Sequence, residues 1–285
     1  MPTPSHHAFL LHRLAAAGLC AAALLAAAPA HADRLADIKS RGTLICGTQN
    51  ASSPYAFQDP DTRSYMGYDV DMCKAVAQGL GVKLEHKPLS TEARIPELKM
   101  GRVDMVAGSM AYLPERARQV DYSLQYLQDD IRLLVKKKSG ITKLSDLDGR
   151  KVCTSKGSSS SAVAQRVLTK SRMLNFQDVS SCYLALQSEK VDALPGGDLG
   201  LIRFRIESEK QGDPTVMLDE PIFTEHMGLV VDKGNPELLA AINKVIQDMD
   251  RRGELSAIYD KWMGANSPYK LVRTFKVEPV DLHRQ

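Results

Sequence analysis

Short apolar runs alternate with segments of helical periodicity along most of this chain, and that alternation restricts the fold more than any other feature. Residues 43–47, 82–86 and 103–107 are apolar but too short for helices, so they read as strands. Between the first two, residues 68–80 place Val70, Cys73, Val76, Ala77 and Leu80 on one helical face. Asp69 and Asp71 fall near the start of that helix, where negative charge complements the helix dipole. A short helix is expected to begin near Thr91 and to include residues 95–100. A second set follows: a strand over 151–154, helices over 160–170 and 180–190, a strand over 191–194, a turn at Pro195-Gly196-Gly197, and a helix over 198–208. Residues 129–137 form an extended crossover between the sets, and residues 226–231 could return the chain to the first. Helices are expected over 236–251 and 254–263, followed by a polar, loosely attached tail. The class is α/β, two similar units joined by two extended strands. Ligands of such sheets bind outside the carboxyl ends of strands and between units.

The first residues read as a processing segment. His6, His7, His12 and Arg13 precede a 15-residue apolar run, Leu14 to Ala28, shorter than the roughly 20 residues a spanning helix needs. Ala30-His31-Ala32 has the A-x-A form of a secretory cleavage site, which puts the mature start at Asp33. An uncleaved membrane anchor is the alternative. The net charge of +3 over 285 residues suggests no nucleic-acid surface, and Lys136-Lys137-Lys138 reads as a solvated strand end.

Export bears on the cysteines. Cys46, Cys73, Cys153 and Cys182 remain after cleavage, an even number that argues for disulfides in an oxidising compartment. Three pairings are open, with local pairing within each third preferred and free thiols as the alternative. No CxxC occurs, so neither a redox motif nor a zinc site is indicated.

Catalytic signatures are missing. There is no GxxxxGK[ST], no HExxH and no GxSxG, and the mature histidines His86, His226 and His283 are scattered. No metal or cofactor is expected. What stands out is the stretch from Gly101 to Ser123, where the apolar run stops at Gly108-Ser109 and Arg116 follows behind Pro114-Glu115. An arginine beside a strand tip can fork onto a carboxylate with fixed geometry, although an isolated arginine is more often a surface ion pair. Gly157-Ser158-Ser159 opens a helix and offers N–H groups and hydroxyls to an anion, with ordinary serine capping as the competing reading. Asp198 begins another helix and can accept an ammonium group or serve as a cap. Arg94 begins a helix, where a cation is mildly unfavourable; that favours a specific anionic partner, with an ion pair to Glu92 or Glu97 as the competing reading.

Several ordered motifs carry a resemblance: Leu44-Ile45-Cys46-Gly47-Thr48, Ser53-Pro54-Tyr55, Gly67-Tyr68-Asp69-Val70-Asp71, Arg94-Ile95-Pro96, and Gly108-Ser109 through Pro114-Glu115-Arg116. Leu144-Ser145-Asp146-Leu147 with Gly149, Gly157-Ser158-Ser159, Val191-Asp192-Ala193 and Tyr259-Asp260-Lys261-Trp262 continue the series. The chain resembles the periplasmic solute-binding proteins of polar amino-acid ABC transporters, the glutamate/aspartate-binding type of family 3. The resemblance implies a type II two-lobed clamp, each lobe a mostly parallel sheet flanked by helices. Residues 33–128 plus 225–265 would form one lobe, 129–224 the other, and 266–285 the tail.

By position, the resemblance gives the ligand carboxylate to Arg116, helped by backbone at Ser109 and Ala111 and by Ser159, and the ammonium to Asp198, with Ser158 and Gln49 also among the expected ligand-binding residues. Arg94 matches an arginine of members that take acidic or amide side chains. It also favours the pairings Cys46–Cys73 and Cys153–Cys182. Ala111 stands where a hydroxyl residue is common, and Gly197 where the ammonium-binding aspartate usually lies. Gln49 and Val179 replace the arginine and histidine of the glutamate/aspartate binders. An amide, broad polar or derivative specificity fits these departures as well as an acidic one. The implied partner is an inner-membrane permease and the implied state a periplasmic monomer. A prephenate-type dehydratase on the same scaffold, or a periplasmic sensor, are the competing functions.

Overall fold

The computed structural model describes residues 33–283; the expected leader over residues 1–32 and residues 284–285 lie outside the described residues. Helix α1 (Arg34–Arg41) leads into strand β1 (Thr43–Gln49), the short hairpin β2 (Phe57–Gln58) and β3 (Tyr65–Met66), and helix α2 (Tyr68–Gly79). Strand β4 (Lys83–Leu89), α3 (Arg94–Lys99), β5 (Met105–Val106) and α4 (Pro114–Ala117) complete the first unit. Strand β6 (Val120–Lys136) then runs 17 residues into the second unit. That unit holds β7 (Lys151–Ser155), α5 (Ser159–Val167), β8 (Arg172–Phe176), α6 (Val179–Gln187), β9 (Ala193–Gly197), α7 (Asp198–Lys210) and β10 (Thr215–Met217). Strand β11 (Phe223–Asp232) returns, and α8 (Pro236–Arg251) and α9 (Glu254–Met263) pack back on the first unit.

Apart from the β2–β3 hairpin, which is a separate two-stranded sheet, the strands form one sheet in the order β4-β1-β5-β11-β6-β9-β7-β8, with β10 on β6. At each end the pairing is parallel, β1 with β4 and β5, β7 with β8 and β9. The two parallel groups are bridged by the antiparallel pair β6 and β11. The expected crossovers are therefore present, and longer than the apolar pattern indicated. The core follows the same division. Leu44, Met72, Met105, Ile242 and Ile246 are among the residues packed in the first unit, and Leu134, Cys153, Leu186, Leu194 and Phe204 among those in the second.

Local chemistry accounts for most boundaries. Helix α8 starts at Pro236, whose missing N–H costs nothing at that position, and buries Leu238, Ile242, Val245, Ile246 and Met249 along one stripe. Gly67 precedes α2 at φ 136°, and a Cβ there would lie 2.2 Å from the Tyr55 carbonyl oxygen. Only glycine fits that approach. Both disulfides link the neighbouring pairs, Cys46–Cys73 with Cα atoms 6.0 Å apart and Cys153–Cys182 at 5.7 Å.

Three expectations are corrected. Pro195, Gly196 and Gly197 are not a turn; they continue β9, paired with Leu133, Arg132 and Ile131 of β6. Residues 172–176 form a strand the sequence pattern did not indicate, on the outer edge beside β7. The C-terminal segment is docked, not loose: Phe275 and Val280 are buried, Gln125 N–H donates to the Glu278 carbonyl at 2.8 Å, and Arg273 pairs with Asp250 at 2.7 Å.

Candidate functional site

A cavity of about 350 Å³ lies where the ends of β1, β5, β9 and the bridging strands meet the start of α5. Its lining draws on both units: Gln49, Tyr55, Thr91, Arg94 and Ser109 from the first, Ser158, Ser159 and Gly197 from the second, and Asp129 and Glu225 from the bridging strands. An adjoining cavity of about 380 Å³ shares Thr91, Arg94 and Ser158 with it and adds Arg116 and Gly157.

The cationic side is built from two buried arginines. Arg94 Nε donates to the Thr91 carbonyl at 2.8 Å, and its Nη1 to the Gly108 carbonyl at 2.6 Å. Arg116 Nη1 donates to the Ala111 carbonyl at 3.2 Å. The two side chains then converge on one atom of the other unit: the Gly157 carbonyl oxygen accepts from Arg94 Nη2 at 3.3 Å and from Arg116 Nη2 at 2.9 Å. Among the described residues, neither guanidinium forms a salt bridge. Burial, reinforced by the neighbouring Arg116 charge, lowers the Arg94 pKa to about 10, still far above neutrality.

Gln49 and Ser109 form a polar wall beside Arg94. Gln49 Nε2 donates to Ser109 Oγ at 2.9 Å and to the Gly108 carbonyl at 3.1 Å, while Thr91 Oγ1 donates to Gln49 Oε1 at 3.2 Å. Ser109 takes a left-handed backbone, φ 43°. On the opposite wall Ser158 caps α5, accepting the Ser161 N–H at 3.2 Å, and also faces the cavity. That serine thus combines the capping bond with a place in the cavity wall.

The acidic side comes from the bridging strands. Asp129 and Glu225 are directly opposed in the β6–β11 ladder, and both are buried. The Tyr55 hydroxyl donates to Asp129 Oδ2 at 2.6 Å. Burial pushes the Asp129 carboxyl well above its ordinary range, with Asp198 and Glu225 charges adding to the shift. Glu225 is also raised by burial, opposed by a hydrogen bond from Ser159 and the Arg116 and Arg94 charges.

Of the residues singled out from sequence, Gln49, Arg94, Ser109, Ser158 and Ser159 line the main cavity and Arg116 the adjoining one. Ala111 is fully buried outside both linings; its carbonyl supports Arg116 and accepts the Tyr122 hydroxyl at 2.9 Å. Asp198 is turned elsewhere, paired with Arg132 Nε at 3.0 Å, and is not part of the cavity wall. Asp129, Glu225 and Tyr55 were not flagged as ligand groups by sequence reasoning. The two acids sit in extended strands with no local motif, and only the strand register brings them together.

Residues 44–265 match the family model of bacterial extracellular solute-binding proteins, family 3, and the chain belongs to that family. It is similar to the L-cystine-binding protein TcyJ of Escherichia coli strain K12, 29% identical over 90% of this chain and 97% of that one. Among solved structures, it is similar to an ancestral arginine-binding protein bound to arginine, with a TM-score of 0.73, 34% identity, and coverage of 79% of this chain and 99% of that one. It is also similar to the ancestral amino acid-binding protein AncCDT-1, a precursor of cyclohexadienyl dehydratase, with a TM-score of 0.72, 31% identity, and coverage of 81% and 99%. The fold is the two-lobed type II binding-protein fold of these structures.

Proposed function

We propose that the chain binds a polar α-amino acid or amino-acid derivative between its two lobes and presents it to an ABC permease of the inner membrane. The observation that carries this reading is the convergence of Arg94 and Arg116 on a single oxygen across the cleft. Two buried cations without a carboxylate partner are costly to desolvate. They become favourable when an anion accepts from both forks, and such charge-assisted bonds are the strong ones. An α-carboxylate has the charge and the two oxygens for it. Ser109, Gln49 and Ser159 supply further hydrogen-bonding groups, and the acidic side suits a zwitterion.

Residues 33–128 plus 225–265 and residues 129–224 are the two lobes in this reading, and β6 and β11 are the hinge. Removal of residues 1–32 would leave a periplasmic monomer. The names of the relatives, which bind cystine or arginine, support an amino acid as the ligand class. The chain acts as a binder and not as a catalyst. Calorimetric titration of purified, ligand-stripped protein with the twenty protein amino acids and cystine tests this. Binding of at least one below about millimolar is expected; no binding by any of them sinks the reading.

One observation favours a second reading. The cavity holds two carboxyl groups with raised pKa, Asp129 and Glu225, which is what an acid-catalysed elimination would need. Turnover of a prephenate-like cyclic acid by the purified protein would establish it.

A further inference from the structure

The cross-strand pair Asp129–Glu225 poses an electrostatic problem that its surroundings relieve only in part, through the Arg116 and Arg94 charges that act on Glu225. Like charges directly opposed on one sheet face repel. Burial strengthens the repulsion by removing water. Both side chains face the main cavity, at 7% and 5% residue exposure. Asp129 receives only neutral donors, the Tyr55 hydroxyl and the backbone N–H of Leu199 at the start of α7. Glu225 has the Ser159 hydroxyl near it, yet its Oε1 is buried with no hydrogen-bond partner. Arg132, three residues along β6 from Asp129, is committed to Asp198, Asp130 and the Asp219 carbonyl.

Gly197 shows that the placement of Asp129 is built into the second unit. A Cβ at position 197 would lie 2.2 Å from Asp129 Oδ2 and 3.6 Å from the Tyr55 hydroxyl oxygen. The carboxylate of a bridging strand therefore occupies the space in which a side chain on the last residue of β9 would lie. Any residue but glycine there would push Asp129 out of position.

We propose that Asp129, with Glu225 opposite it, receives the ammonium group of the bound amino acid. The assignment rests on the amino-acid reading above. A cationic donor between the two carboxylates converts their repulsion into two attractions and supplies a partner to Glu225 Oε1. Tyr55 and the Leu199 N–H act as positioning groups that fix the Asp129 rotamer. Asp198 has no part in ligand contact, because its charge is already neutralised by Arg132.

The test compares the tightest-binding amino acid of the calorimetric panel with its 2-hydroxy acid, in which a hydroxyl replaces the ammonium. The unaltered protein should prefer the amino acid by at least about thirty-fold, the low end for a buried charge pair. Asp129→Asn should abolish most of that preference, weakening the amino acid while leaving the hydroxy acid within about threefold. Gly197→Ala, whose Cβ displaces the same carboxylate, should do likewise from a different position. Asp198→Asn should keep the preference. Folding of each variant is checked by its thermal unfolding transition. An undiminished preference in folded Asp129→Asn, or its loss in Asp198→Asn, overturns the assignment while leaving the amino-acid reading standing. Failure of the unaltered protein to bind any amino acid overturns both.

Discussion

The Tyr126 hydroxyl donates to Asp69 Oδ1 at 2.7 Å, deep in the first unit and out of contact with solvent. The same hydroxyl accepts the N–H of Ser109 at 3.0 Å. A carboxylate at the start of α2 thereby holds, through one phenol, a cavity-lining residue whose backbone is in the left-handed region at φ 43°. Non-glycine residues pay for that conformation and need a surrounding contact to keep it.

Tyr126→Phe removes this contact without removing the ring. Ser109 should relax, and amino-acid affinity should fall about three- to tenfold, in line with one lost hydrogen bond of about 1 kcal/mol. Calorimetry on the folded variant checks it; unchanged affinity would mean that Gln49 alone positions Ser109.

Asp69 also predicts a pH effect. Burial, partly offset by the Tyr126 hydrogen bond and the Arg94 charge, raises its pKa from 3.8 to about 7. The folded state therefore holds a proton that the unfolded state releases across that window. Stability from this group is fully present below pH 3.8 and is lost as pH rises through about 7. Asp69→Asn should remove that loss, so the variant gains on the unaltered protein between pH 4 and pH 8, by on the order of 4 kcal/mol at most. Urea unfolding of both proteins at several pH values measures it. A gain toward low pH would reverse the sign and contradict the argument.

Each disulfide spans a short segment of its unit, with sequence separations of 27 and 29 residues. The chain-entropy model gives about 3.5 kcal/mol for closing such a loop. A Cys153→Ala/Cys182→Ala double variant should lose about that much in denaturant unfolding, with amino-acid affinity retained, because neither cysteine lines the cavity.

Gly67→Ala should be worse than its size suggests. Its Cβ would meet the Tyr55 carbonyl at 2.2 Å, and φ is 136°. A loss of more than about 2 kcal/mol is expected, together with weaker binding, because the segment it moves carries Tyr55 against Asp129. A neutral effect in thermal unfolding would contradict the packing described.

Much of this fold was legible in the chain because local and tertiary preferences agree. Helices α8 and α9 fall at the predicted bounds: Pro236 sets the start of one, and Gly253 at φ 74° separates the two. Agreement failed where tertiary pairing overrides local preference. Pro195-Gly196-Gly197 has turn composition, yet the sheet partner β6 draws it into a strand, and its glycines admit the Leu201 side chain and the Asp129 carboxylate. Strand β8 escaped notice because Arg172, Leu174 and Asn175 are exposed on an edge and leave no alternating apolar pattern. The arginines of the site carried a local signal, a strand tip followed by a positioned cation. Asp129 and Glu225 carried none, since they lie 96 positions apart in the chain and only register opposes them. Asp198 carries a local signal, its place at a helix start, whereas its pairing with Arg132, 66 residues away, has none.

The central claim is that the paired arginines hold the carboxylate of an amino acid. The most direct test is calorimetric titration of the protein with the tightest-binding amino acid and with its α-carboxamide, which keeps size and ammonium but has no negative charge. The amino acid should bind at least about thirty-fold more tightly than the amide, and Arg116→Ala should remove most of that difference. Equal affinity for the two, or an undiminished difference in Arg116→Ala, would contradict the account.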